Sequence, residues 1–408
     1  MNSLAVASVL AALALPVAAR SQEPPPAGAQ DEESRRKLEE QLAKELGAAP
    51  GQPKSGAGAT PPAAGPVAEA GQGATGGNPM ARLLLLPDIS AIGSFAGAFD
   101  SYDVARRSPR PGPFGPTDKP TALFDELELG MQSVVDPYGR ADIFISFTPD
   151  GASVEEAYFT TLTLPGGLQV RAGKLFSPFG RQNQLHPHVW DFVDAPLGST
   201  RVLARDVLSG PGVDVSWLTP LPWFAELHLA GQGTNPDPGA VDPVDRPTAI
   251  ARLLQYGSLG EATTVGLGVS AARRSEATGA FRDLGGADLY LRVRPPASRA
   301  YLAVQAELFG RRFRNVEGGR SDLGGYAQAL WRQDAYFGYG VRYDDGPSAG
   351  EAASGRERRW SGVGIWQPTE FERVRLQLSY DRRPLRQDGV EALLGFEFII
   401  GAHGAHPF

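Results

Sequence analysis

The run LHPHVWDFVD, Leu185 to Asp194, sets His186 and His188 beside Asp191 and Asp194. Imidazole and carboxylate at such spacing suit zinc and other divalent ions. A histidine near serine is also what a nucleophilic hydrolase needs, and Ser177 and Ser199 lie close by. No motif singles out a nucleophile, however, and the two histidines flank Pro187 without a third ligand that spacing identifies. Three readings stay open for His186 and His188: packing groups in a folded loop, ligands of a divalent ion, or solvated side chains. The elements on either side must decide.

The chain has 408 residues, a formal net charge of −7 and no cysteine. An acidic balance without clustered basic surface argues against nucleic acid as a partner. The missing thiols exclude disulfides, thiolate zinc sites and iron–sulfur clusters. Beyond the N-terminus no apolar run is long enough for a helical membrane span, but a membrane β-barrel shows lipid only every second side chain.

Residues 1–19 read as a signal peptide, with an apolar core from Leu4 to Leu15 and small residues at Val17, Ala18 and Ala19. Residues 20–80 are rich in Pro, Ala and Gly and cannot bury enough apolar surface to fold, which predicts a disordered periplasmic segment. One helix is expected in it over 31–46, where Leu38, Leu42 and Leu46 recur every four residues before Gly47 and Pro50. It suits a solvated helix or a short coiled coil.

From residue 81 to 408 the texture is uniform. RVRLQLSYD is its clearest sample: Val374, Leu376, Leu378 and Tyr380 share one face, and Arg373, Arg375, Gln377, Ser379 and Asp381 the other. Sixteen such segments are expected, beginning near Ile89, Thr121, Gly139, Ser153, Leu168, Gly212, Trp223, Pro247, Thr263, Leu284, Arg299, Leu323, Tyr336, Arg359, Glu372 and Val390. Every second connection is short (DPYG, LPGG, TPLP, SLGEA, PPAS, RQDA, QPTEF), while most others are long. That asymmetry fits a transmembrane antiparallel β-barrel with tight periplasmic turns and long outer loops. Tyr138, Trp223, Tyr301, Tyr336 and Phe371 fall in or beside the short turns, where an interfacial girdle is expected. The fold class is therefore all-β.

The final segment, GFEFIIGAHGAHPF, resembles the C-terminal signature of outer-membrane barrels, and Phe408 would then be the aromatic read by the barrel-insertion machinery. Over Ile89 to Phe408 the chain resembles bacterial outer-membrane porins of sixteen strands. The stretches FDELELGMQSVVDPYGRADIFISF, VEEAYFTTLTLPGGLQVRAGKLFSPFGRQNQLHPHVWDFVD and GVDVSWLTPLPW are also similar to a porin-like family often labelled zinc-regulated TonB-dependent outer-membrane receptors. That label implies energised uptake through a larger, plugged barrel. The composition of the segment before the barrel supplies no plug, so energised uptake is not carried over.

A barrel of this size holds water, so its polar faces line a pore. Alternation turns Glu126, Glu128, Asp142, Glu156, Asp214 and Glu226 inward on the first half. On the second half it turns Arg292, Arg294, Arg342, Arg373 and Arg375 inward. Arg140, Arg171, Arg252, Asp288, Glu307, Glu391 and Glu397 join them, so neither sign dominates and weak charge selectivity follows. Residues 181–211 form the third outer connection, the one that narrows sixteen-stranded porins by that resemblance. His186, His188, Trp190, Asp191 and Asp194 then belong to a constriction. The function expected is passive diffusion of small hydrophilic solutes or ions across the outer membrane, in contact with its lipid. By the porin resemblance the chain forms a homotrimer. The alternative is a substrate-specific receptor with a largely closed lumen, and a barrel hydrolase ranks below both. No cofactor is called for; zinc is the ion that His186 and His188 would suit.

Overall fold

The computed structural model describes residues 87–101, 121–149, 151–203, 208–233, 247–275, 281–314, 321–348, 355–383 and 388–401. The signal peptide, the 31–46 helix and Phe408 lie outside the described residues.

Sixteen strands follow in chain order. They are β1 Asp88–Asp100, β2 Thr121–Asp136, β3 Gly139–Thr148, β4 Gly151–Thr161, β5 Leu168–Phe176 and β6 Ser209–Leu218. Next come β7 Phe224–Gln232, β8 Thr248–Leu259, β9 Thr263–Ser275, β10 Phe281–Val293 and β11 Tyr301–Arg314. The last are β12 Ser321–Arg332, β13 Phe337–Pro347, β14 Arg356–Thr369, β15 Glu372–Arg382 and β16 Gly389–Ile400. Each strand pairs antiparallel with its neighbours, and β16 returns to β1 to close a barrel. The seam runs from Ala91↔Ile400 to Asp100↔Glu391. Closure leaves no edge strand, which is what a backbone in hydrocarbon requires.

The side chains are inverted relative to a soluble protein. On β15, Leu376, Leu378 and Tyr380 are exposed on the outer face, while Arg375, Gln377, Ser379 and Asp381 are buried inside. Leu376 and Leu378 keep 52% and 55% of their surface, an exposure that suits a lipid-facing wall. Leu376→Arg should therefore destabilise the barrel by about 2–4 kcal/mol in vesicle refolding titrations.

Four register irregularities occur among the described strands; those at Val134/Asp136 and Trp366/Thr369 lie beside short turns, and the other two are bulges within the wall. Between β1 and β2, Ser94 faces Glu126 and Phe95 faces Phe124, so Asp125 has no opposite number. Between β3 and β4, Phe144 faces Glu156 and Ile145 faces Val154, which leaves out Glu155. Each bulge turns an extra carboxylate inward. Asp125 accepts a hydrogen bond from the inward Ser94 hydroxyl at 3.3 Å, and Glu155 lies 3.1 Å from a loop imidazole.

Candidate functional site: a loop folded inside the barrel

The chain leaves β5 at Phe176 and rejoins the wall at Ser209. Between them lie two 3-10 turns, Gln182–Gln184 and Pro187–Val189, and a short helix, α1, Leu197–Val202. Pro187 and Pro196 fix the starts of the second turn and of α1. Asn183 staples the two legs: its amide donates to the carbonyls of Ser177 and Leu208, both at 3.0 Å, and its carbonyl accepts from Leu208 N–H at 2.7 Å.

The base of the loop is held by the far wall. The N–H groups of Arg181 and Gln182 donate to the Glu307 carboxylate at 2.9 and 2.7 Å, and the Tyr326 hydroxyl donates to it at 2.5 Å. Phe179 is buried with Ile250, Ala272, Leu284 and Phe309 from β8 to β11. The Arg181 guanidinium lies over the Tyr290 ring at 4.0 Å. Burying these side chains contributes hydrophobic stabilisation inside the barrel.

The tip reaches the acidic wall. His186 is 1% exposed; its Nδ1 is 2.7 Å from Glu128 and its Nε2 2.9 Å from Glu156. The ring stacks on Phe176 at 4.5 Å. His188 Nδ1 is 3.5 Å from Glu128. Burial alone opposes a charge on His186, but the hydrogen bonds to Glu128, Glu155 and Glu156 outweigh it and hold the imidazole well above its ordinary pKa. The carboxylates that meet the histidines thus come from β2 and β4, not from the loop's own aspartates.

Those aspartates face the basic wall. Asp194 accepts from Arg342 on β13 and from Arg359 on β14, and from Gln377 on β15 at 2.8 Å. Burial pushes the Asp194 carboxyl up, yet Arg342 and Arg359 pull it further, to below the usual carboxylate range. Arg375 donates to the carbonyls of Trp190 and Phe192 at 2.6 and 2.7 Å, Arg373 donates to that of His188, and both arginines pair with Glu397. Phe192 lies 4.4 Å beneath Arg342 and packs on Leu330, Val363 and Ile365. Trp190 closes the loop on itself, donating to the Leu185 carbonyl at 2.9 Å. Asp191 stands apart: Gln328 of β12 reaches it at 3.4 Å, and burial raises its pKa against the pull of Arg373 and Arg375. It borders a cavity of about 430 Å³ at the short-turn end, together with His188, Tyr301, Arg332, Phe371 and Arg373.

The remaining wall residues are mostly paired. Arg140 reaches Asp142 at 2.9 Å, Arg252 reaches Asp288 at 2.7 Å, and Arg292 lies 4.4 Å over Tyr301. Asp214 takes both Arg171 and His228, with Glu226 3.4 Å from the same imidazole. Two expectations need correction. Arg294 falls past the end of β10, exposed in the turn, where it donates to the Ser298 carbonyl at 3.0 Å and lines no wall. Tyr301 lies under the inward Arg292 and borders the inner cavity instead of an outer girdle, while Phe371 borders the same cavity and stays 40% exposed. Sequence reasoning missed Asp125 and Glu155, which the bulges turn inward. It also missed His228, whose signal was its period-two spacing from Glu226 on β7.

No family model matches the chain. Among solved structures it is similar to OprB of Pseudomonas putida, at 9% identity and TM-score 0.57 over 77% of this chain and 94% of that one. It is also similar to the anion-selective porin of Comamonas acidovorans, at 11% identity and TM-score 0.53 over 77% and 99%. The outer-membrane channel DcaP of Acinetobacter baumannii matches at 13% identity and TM-score 0.53 over 77% and 98%. The fold is therefore that of outer-membrane porins and channels. Within it, the chain belongs to the family of an uncharacterized protein of Aquifex aeolicus (strain VF5), 31% identical over 332 residues, 69% of each. The TonB-dependent receptor label rests on sequence resemblance, and these likenesses do not extend to it.

Proposed function

We propose that the protein is an outer-membrane channel for passive diffusion of small hydrophilic solutes or ions, with loop 181–211 as its constriction. One observation carries the reading: the loop lies inside a sixteen-stranded barrel and bonds to both of its charged walls. Glu128 and Glu156 stand on one side and Arg342, Arg359 and Arg375 on the other, so a permeant ion meets a transverse field and weak selectivity results. The short turns then face the periplasm, as does the segment 20–80, and the apolar outer wall meets lipid and the neighbouring chains of a homotrimer. Insertion through recognition of Phe408 belongs to the same proposal.

The near-complete burial of His186, Phe192 and Asp194, each 1% exposed, favours a second reading: a substrate-specific receptor with a closed lumen. A hydrolase has less support, since Ser177 donates to Gln232 and Ser199 to the Pro196 carbonyl rather than to an imidazole.

Planar-bilayer recording of the full chain separates these. A channel gives discrete conductance steps with reversal potentials near zero in asymmetric KCl, and deleting Gln184–Ser199 enlarges the step. An unchanged step would show that the loop lies outside the pore. Silent bilayers with tight ligand binding favour the receptor, and silent bilayers with ester or peptide hydrolysis overturn the channel.

A further inference from the structure

The loop tip and the acidic wall together form more than a docking contact. One ring nitrogen each of His186 and His188 and a Glu128 oxygen lie within 4.8 Å of one another, and a second group of that size joins Glu126, Glu128 and Glu155. Glu128 is common to both. Around Glu128 and His186 the donor separations are 2.7 Å (His186 to Glu128), 3.1 Å (His186 to Glu155) and 3.5 Å (His188 to Glu128). The two separations within the histidine group, 2.7 and 3.5 Å, lie on either side of the edge of about 3.3 Å that ligands at about 2.0–2.1 Å from zinc would define. His186 Nε2 lies 2.9 Å from Glu156, whose other oxygen accepts the Phe176 N–H at 2.7 Å. That is the arrangement of a ligating histidine whose second nitrogen is oriented by an anchored carboxylate. An independent observation points the same way: one oxygen of Glu126, beside Glu128 and Glu155, is buried with no hydrogen-bond partner among the described residues. Like charges packed this closely repel, and a divalent cation relieves the repulsion.

We propose that this cluster binds one divalent transition-metal ion of the zinc class, held by His186, His188 and Glu128, with the fourth position open to water and Glu156 as a positioning residue. Two imidazoles with carboxylates select zinc, cobalt or nickel over calcium or magnesium, which prefer all-oxygen shells. The ion ties the constriction loop to β2 and β4. The inference needs the loop inside the barrel but not conduction through it, so a silent bilayer would sink the channel reading and leave this site standing.

The test uses the full chain in detergent, stripped with a chelator and titrated with zinc or cobalt alone. The wild type should retain one ion per chain after dialysis, and cobalt should give the intense visible absorption of a tetrahedral site. His188→Ala should weaken binding by more than about 100-fold while heat-modifiable gel migration shows an intact barrel. Glu156→Gln should weaken it by about 10–100-fold and leave the cobalt spectrum tetrahedral, a result that a merely structural role would not produce. Calcium should not compete. The proposal is overturned if the wild type retains no ion, if cobalt stays octahedral, or if His188→Ala binds as tightly as the wild type.

Discussion

Replacing Asp194 with alanine is expected to release the loop from β13–β15, raise the unitary conductance and expose Arg201 to trypsin. Asp194, Arg342 and Arg359 are each about 1–3% exposed, so the pair sits where water screens little. Removing one partner of a buried pair costs about 3–5 kcal/mol, because the charges left behind stay desolvated. Here the lower end applies, since Arg342 keeps Asp344 at 2.9 Å and Arg359 keeps Asp381 at 2.5 Å. Asp194→Asn keeps an acceptor for Gln377 and should fall between wild type and alanine. Single-channel recording and limited proteolysis in detergent check both; unchanged conductance together with unchanged cleavage would show that Asp194 does not hold the loop. The pH dependence has a definite sign. Because the folded Asp194 carboxyl is depressed, its contribution is complete above the unfolded pKa of about 3.9 and is lost only as pH falls through the lower folded value. The difference between wild type and Asp194→Ala should therefore be the same at pH 7 and pH 5.

Gly198→Val should detach α1 from the wall. A Cβ on Gly198 would lie 2.2 Å from the carbonyl oxygen of Gly325 on β12 and 2.6 Å from its nitrogen. Those are backbone atoms of a closed ladder, so the helix has to move. A Cβ on Gly324 would in turn meet Val202 at 2.8 Å and the Gly198 carbonyl at 2.9 Å. Helix and strand touch here backbone to backbone, and only residues without side chains permit it. Overpacking of this kind costs about 1–3 kcal/mol, and the branched side chain adds to it. The barrel itself should survive, as heat-modifiable migration would show, while the Arg201–Glu357 pair at 2.9 Å is lost and trypsin gains access. A protein that cleaves and conducts like the wild type would show that α1 tolerates displacement.

Much of the barrel was legible because lipid and water divide each strand's side chains with a period of two. β15 starts at Glu372 as expected, and the largest offsets, such as β6 at Ser209 against Gly212 and β10 at Phe281 against Leu284, are three residues. The alternation failed where the backbone gained a residue. Asp125 and Glu155 sit on bulges, and nothing local in FDELEL or SVEEAY distinguishes the extra carboxylate from an outward one. Arg294 failed differently, because Pro295 ends the ladder one residue earlier than the pattern suggests. The loop's partners were out of reach for another reason. Glu128 lies 58 residues from His186 and Glu307 lies 126 from Arg181, and no periodicity encodes a choice among distant inner-wall carboxylates. His186 and His188 could be flagged by type alone; their neighbours could not.

The staggered anchoring of the loop also bears on biogenesis. Its acceptors Trp190 and Phe192 wait for Arg375, which emerges from the ribosome more than 180 residues later, and Val193 packs on Ala96 and Leu393 from the two strands of the closing seam. An intermediate that lacks β13–β16 would leave Asp194 and these carbonyls without their partners. The interior knot can therefore be tied only once the wall is whole, so a correctly threaded loop is itself a record that the barrel has closed in register.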